Sequence, residues 1–199
     1  MRTTQKRTRT ALTLAVLAAI FAGYRVEVAH AATKRVDGWT VIDNSFVNDA
    51  SGTYTESKGW TNTGDFDKND WLRNSRYDAN TAATGEFAEW KFLNLPNGLY
   101  EVAVSYATPN PNRSSAAPYT VVGKGTFFVN QETVAAGTPK LNDGTNDIPF
   151  DTITTNVQVT NGTLTVKLND VANDGKVDYV IADAVAIRLV PEPSTSSSR

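Results

Sequence analysis

Cysteine is absent from the sequence, and histidine occurs once, at His30. Without cysteine there are no disulfide staples, so stability has to come from a packed core. The lone histidine lies in a segment that reads as a secretory leader. Arg2, Lys6, Arg7 and Arg9 form its basic start, and an apolar run follows from Ala11 to Gly23. Ala29-His30-Ala31 then places small residues where a signal peptidase cuts. The apolar run falls short of the roughly 20 residues a spanning helix needs. No Arg-Arg pair marks a twin-arginine route, and no cysteine is present to take a lipid. Residues 1–31 are therefore expected to be a signal peptide, with export to the extracellular space or the periplasm.

Removing that leader excludes several chemistries. The remaining chain has neither His nor Cys, which rules out a Ser-His-Asp triad and a Cys-His pair. It also leaves no ligand set of the usual kind for zinc. The leader takes five of the 19 Lys+Arg and one of the 21 Asp+Glu, which leaves a net charge of −6. A mildly acidic chain with dispersed basic residues is not a nucleic-acid binder. The remaining length suits one domain with one good core.

What is abundant is Thr, Val, Asn, Asp and Gly, in short alternating runs broken by turn residues. Residues 84–93 put Ala88, Trp90 and Phe92 on one side and Glu89 and Lys91 on the other. Leu95-Pro96-Asn97-Gly98 is a turn signal. Residues 98–107 place Tyr100, Val102, Val104 and Tyr106 on one face, so the two runs are expected to pair as a hairpin. Residues 118–130 read as one strand whose glycines mark a bulge. A second hairpin is expected from 150–159 and 163–169 around Asn161-Gly162, with Leu164, Val166 and Leu168 inward. Residues 179–190 make the last strand, and Trp39–Asn44 and Trp71–Asp78 two weaker ones. The predicted fold is all-β: an antiparallel sandwich or jelly roll over 39–190, after a linker at 32–38. The tail, 191–199, is Pro/Ser-rich and expected to be disordered. Its Val190-Pro191-Glu192-Pro193-Ser194-Thr195 resembles the start of a bacterial PEP-type sorting signal. No apolar stretch or basic cluster follows it, so envelope anchoring is not expected.

Three segments together carry a family resemblance. They are Trp39-Thr40-Val41-Ile42-Asp43-Asn44, with Gly59-Trp60 and Tyr77 beyond it; Asn112 to Val121, followed by Val129-Asn130-Gln131; and Asp178 to Val185. The chain resembles the golvesin C-terminal-like domain, a bacterial module also found beside polysaccharide-degrading enzymes such as xanthan lyases. The resemblance spans roughly residues 39–190. It implies a β-sandwich like that of galactose-binding modules, an accessory binding or adhesion role, and no catalytic residues. The sequence departs from the family pattern after Val121, where the chain is shorter and lacks a His, and in an insertion at Ala135–Asp147.

Candidate sites follow from residue chemistry. Counting by two along the last strand puts Asp183 on the face of Ile181, Val185, Ile187 and Leu189. A carboxylate there must be hydrogen-bonded, and Arg113 or the backbone of the Arg113–Tyr119 loop is the expected partner. Arg113, Tyr119 and Asp183 form the expected structural centre; a ligand-binding Asp183 is the functional alternative. Trp60 and Trp71 lie among Gly, Asn and Asp, where exposed rings stack on sugars; with Tyr77 they are the candidate carbohydrate-binding aromatics, and capping of the sandwich is the plain alternative. Asp170, Asp174 and Asp178 offer an irregular Ca2+ site, or a solvated turn; an EF-hand is excluded, because Ala172 and Ile181 fall where oxygen ligands belong. No other cofactor is expected. Catalysis without His would need paired carboxylates, and nothing in the spacing of Glu86, Glu89, Glu101 and Glu132 brings two together. The expected function is therefore a secreted, non-catalytic module for carbohydrate or another envelope component. A structural or adhesive module with a protein partner is the alternative, and a small glycan-active hydrolase the second.

Overall fold

The computed structural model describes residues 34–45, 48–63, 69–79, 85–106, 110–171 and 178–191. Two five-stranded antiparallel sheets form a sandwich. The first runs β1 (Lys34–Val36), β2 (Trp39–Asp43), β15 (Ala184–Leu189), β7 (Gly98–Val104), β12 (Asp151–Val159). The second runs β3 (Gly52–Glu56), β6 (Phe87–Phe92), β13 (Leu164–Asn169), β8 (Ala117–Val121), β9 (Gly125–Val129). A three-stranded sheet is made by β14 (Tyr179–Ala182), β5 (Arg76–Ala79) and β4 (Thr61–Asn62), and β10 (Lys140–Asn142) pairs with β11 (Asp147–Pro149). The helical content of the described residues is one 3-10 turn, Trp71–Arg73.

Alternation decides which side chains fill the space between the sheets. Val102, Val104, Val157, Val185 and Ile187 of the first sheet meet Trp90, Phe92, Tyr119, Val166 and Leu168 of the second. Each strand carries these residues at every second position, as the sequence indicated. A second core covers the outer face of the first sheet. There Trp39, Val41, Ala103, Ala184 and Ala186 lie under Trp71, Leu141, Ile148 and Phe150. The insertion at Ala135–Asp147 thus has a packing role: β10 and β11 roof a sheet face that would otherwise expose small apolar residues.

The expected hairpins do not form. β6 pairs with β3 and β13, whereas β7 pairs with β12 and β15. The Pro96-Asn97-Gly98 turn therefore carries the chain from one sheet to the other. The same is true of Asn161-Gly162, since β12 belongs to the first sheet and β13 to the second. Residues 118–130 are two strands rather than one bulged strand: β8 and β9 form a hairpin about Val122-Gly123-Lys124. The predicted linker is also part of the fold, because β1 at 34–36 pairs with β2. The expected strand over Trp71–Asp78 is a 3-10 turn followed by β5. The last strand breaks at Asp183, where the chain passes from the small sheet (β14) to the first large sheet (β15). Leu189, expected inward, is 42% exposed and instead lies against Gly98 at the rim.

Candidate functional site

The strands β5 and β14 position an aromatic pair. Ile181 lies opposite Tyr77, and Tyr179 opposite Ala79, so Tyr77, Tyr179 and Ile181 share one face. The two tyrosine rings meet edge to face, with centroids 5.3 Å apart. Beside them runs the turn Asn110–Ser114. It is closed by Arg113 N–H donating to the Asn110 carbonyl (3.0 Å) and Asn112 N–H donating to Asn110 Oδ1 (2.9 Å). It is stitched to β14 in both directions: Tyr179 N–H donates to the Asn112 carbonyl and Ser114 N–H to the Tyr179 carbonyl, each at 2.9 Å. Together these segments frame a cleft of about 160 Å3, lined by Thr63, Tyr77, Asn110, Asn112, Arg113, Tyr179 and Ile181. Tyr179 is 43% exposed. Its lining residues carry aromatic, amide and hydroxyl groups.

Behind the cleft, Gln131 holds β14 in place. Its side-chain amide accepts from Ile181 N–H (2.8 Å) and donates to the Ile181 carbonyl (2.8 Å), and it donates to Tyr119 Oη at 3.2 Å. Tyr119 Oη in turn donates to the Ile181 carbonyl at 3.3 Å. Burial, and then the charge of Asp183, pushes the Tyr119 hydroxyl well above its ordinary pKa, so it stays a neutral donor. Gln131 does for Ile181 what a neighbouring strand would do.

Asp183 is fully buried, as expected, but its partners are others. Trp71 N–H donates to both carboxylate oxygens at 3.1 Å, and Ser105 Oγ donates to Oδ2 at 2.5 Å. Arg113 instead bridges Tyr179 through its backbone and is among the residues that line the cleft. Burial, then the charges of Asp70 and Asp43, hold the Asp183 carboxyl well above the usual range.

Trp60 and Trp71 are not exposed platforms. They are 6% and 1% exposed: Trp60 joins the inter-sheet core, and Trp71 packs edge to face on Phe150. Beside Trp60 the polar residues Lys58, Thr61 and Asn62 are exposed while the ring turns in; beside Trp71, Asp70 is buried with it. Of the three candidate aromatics only Tyr77 lines the cleft, and Tyr179, its neighbour there, was missed. Within the predicted Ca2+ set, Asp174 lies outside the described residues, Asp170 is fully buried and Asp178 half-buried. The sequence also gave no reason to bring two carboxylates together, yet the structure gathers Asp78, Glu86 and Asp170, with oxygens of all three within 4.8 Å of one another. Burial, followed by Glu86 and then Asp170, pushes the Asp78 carboxyl up to about 6. The candidate lies on residues 78, 86 and 170, too far apart for any local pattern to announce it.

No protein-family model matches the chain, and no curated protein matches its sequence. Among solved structures it is similar to a Paenibacillus xanthan lyase, with 26% identity over 78% of this chain and a TM-score of 0.52. The likeness covers only 13% of the lyase. The chain is also similar to a CBM35 from Cellvibrio japonicus, with 13% identity over 78% of this chain and 94% of that one and a TM-score of 0.47. For the catalytic domain of a GH87 α-1,3-glucanase the identity is 16%, over 84% of this chain and 31% of that one, with a TM-score of 0.44. The β-sandwich is thus an architecture this chain shares with a segment of a xanthan lyase. Among the described residues no helix is long and apolar enough to cross a membrane.

Proposed function

We propose that this protein is a secreted, non-catalytic module of golvesin-like type that binds carbohydrate in the Tyr77–Tyr179 cleft. The observation that carries this reading is the cleft's composition. Tyr179 presents ring surface for the apolar face of a sugar. Asn110, Asn112 and Thr63 surround it with groups of the kind that bond hydroxyls. At about 160 Å3 the cleft is smaller than the roughly 300–1,000 Å3 of sites that enclose a ligand. It suits one ring of a polymer whose remainder stays in solvent. The likeness to a segment of a xanthan lyase makes xanthan the first polysaccharide to test. A non-catalytic role is favoured because the three clustered carboxylates do not line the cleft.

The experiment is depletion of the protein by a panel of polysaccharides, xanthan included, with Tyr179→Ala alongside. Binding by the wild type that weakens about tenfold or more in the variant supports the reading; equal binding by both removes the cleft from it. Release of reducing sugar from any of them would instead revive the hydrolase reading. One observation favours the adhesive alternative: Phe128 is 54% exposed in a broad groove with Tyr106, Phe127 and Ile153. Loss of protein-partner capture in Phe128→Ala, with polysaccharide binding unchanged, would support that alternative.

A further inference from the structure

We infer that Asp78, Glu86 and Asp170 form a Ca2+ site on the side of β5 opposite the cleft. Each residue is delivered by the sheet architecture. Asp78 lies on β5, next in sequence to Tyr77, so its side chain leaves the opposite face. Glu86 precedes β6 and Asp170 follows β13; these strands pair through Asn169 and Phe87, and Asp170 N–H donates to the Glu86 carbonyl at 3.0 Å. Backbone pairing therefore holds two of the carboxylates side by side and brings the third over them.

A second observation points to a ligand there. Asp78 is 4% exposed, and its Oδ2 is buried with no hydrogen-bond partner. That oxygen is aimed at the same gap as Glu86 Oε2: a methyl group on Gly59 would sit 2.6 Å from the first and 2.5 Å from the second. Gly59 has φ of +111°, so the chain gives up a side chain where the two oxygens converge. Bringing like charges together out of water is unfavourable unless a cation or protons join them. The donor set is all oxygen and all carboxylate, which selects a hard cation. A set of three protein carboxylates favours Ca2+, because Mg2+ usually keeps several waters and is held by only one or two carboxylates. The ion would tie β5 to the ends of β6 and β13 and so fix the strand that carries Tyr77. Asp170 also belongs to the calcium set read from the sequence.

The test is Ca2+ titration of the chelator-treated full chain, followed by calorimetry and thermal unfolding. The wild type should bind Ca2+ and unfold at a higher temperature with it, with a smaller response to Mg2+. Asp78→Asn and Glu86→Gln should bind Ca2+ about tenfold or more weakly and lose the thermal shift. Should either variant fail to fold, Tb3+ luminescence of the wild type decides alone, because Trp60 adjoins Gly59 and would sensitise the ion. Emission that Ca2+ competes away supports the site. Absence of Ca2+ binding and of Tb3+ emission in the wild type overturns it, as does unchanged affinity in both folded variants.

Discussion

The backbone N–H of Trp71 points between the two carboxylate oxygens of Asp183, 3.1 Å from each, across 112 residues of sequence. Asp183 occupies the crossing from β14 to β15, and Trp71 begins the turn that roofs the outer core. The carboxylate thus joins three parts of the fold, since Ser105, just beyond β7, donates to it as well. Its donors are neutral. Asp183→Ala should therefore cost about 1–3 kcal/mol, the penalty for stranding neutral buried donors, and not the larger loss expected of a broken buried ion pair. Urea unfolding measures it. A loss well above that range would mean a charged partner, and no loss would mean the bonds to Trp71 and Ser105 contribute nothing.

Trp71 should behave as core. Its ring meets Phe150 edge to face at 5.7 Å among Leu141 and Ile148. Trp71→Ala is expected to lower stability by about 3–5 kcal/mol, and the fraction that stays folded should bind polysaccharide as the wild type does. Binding lost at unchanged stability would restore Trp71 as a ligand contact.

Asp43 gives the fold a pH dependence of defined sign. Burial pushes its carboxyl up to about 7, although bonds from Ser45 and Asn44 oppose the shift. In the unfolded chain it ionises near its ordinary 3.8. Between those values the folded protein holds a proton that the unfolded chain has released. Stability from this group is full below about pH 4, falls as pH rises, and is lost above about 7. At roughly 1.4 kcal/mol per pH unit the change is at most about 4 kcal/mol. Asp183 adds to the decline in the same direction. Unfolding free energies at pH 4, 5.5 and 7.5 should fall less steeply in Asp43→Asn than in the wild type; equal slopes would show that Asp43 ionises normally in the fold.

Facing was legible in the sequence and pairing was not. Ala88, Trp90 and Phe92, or Leu164, Val166 and Leu168, announce their buried side by period two alone. Which strand lies beside them depends on where the chain goes after the turn. Asn161-Gly162 reads as a tight hairpin, but Val157 and Val159 pair with Tyr100 and Gly98, while Leu164 pairs with Phe92. Turn chemistry reports a reversal, and a reversal between sheets looks the same as one within a sheet. Burial of Asp183 was legible because its neighbours are apolar, whereas Trp71 N–H, a backbone group far along the chain, leaves no mark in sequence. The cleft was half legible: Tyr77 and Arg113 were singled out, but Tyr179 was read only as strand.

The signal peptide expected at residues 1–31 is open to a direct test. Cleavage after Ala31 would leave two residues before β1 begins at Lys34. Mass spectrometry of exported protein should give an N-terminus at or near Ala32. Exported material that retains Met1 would contradict it.

The most direct test of the carbohydrate-binding account is a binding isotherm of wild type and Tyr179→Ala on xanthan, with thermal unfolding of both recorded in the same buffer. Tyr179 is 43% exposed and bonds its neighbours through its backbone, so the variant should unfold within a few degrees of the wild type. The wild type should bind saturably, and the variant about tenfold or more weakly. Wild-type binding retained in full by a folded Tyr179→Ala, or no binding by the wild type to xanthan or any other polysaccharide in the panel, would contradict it.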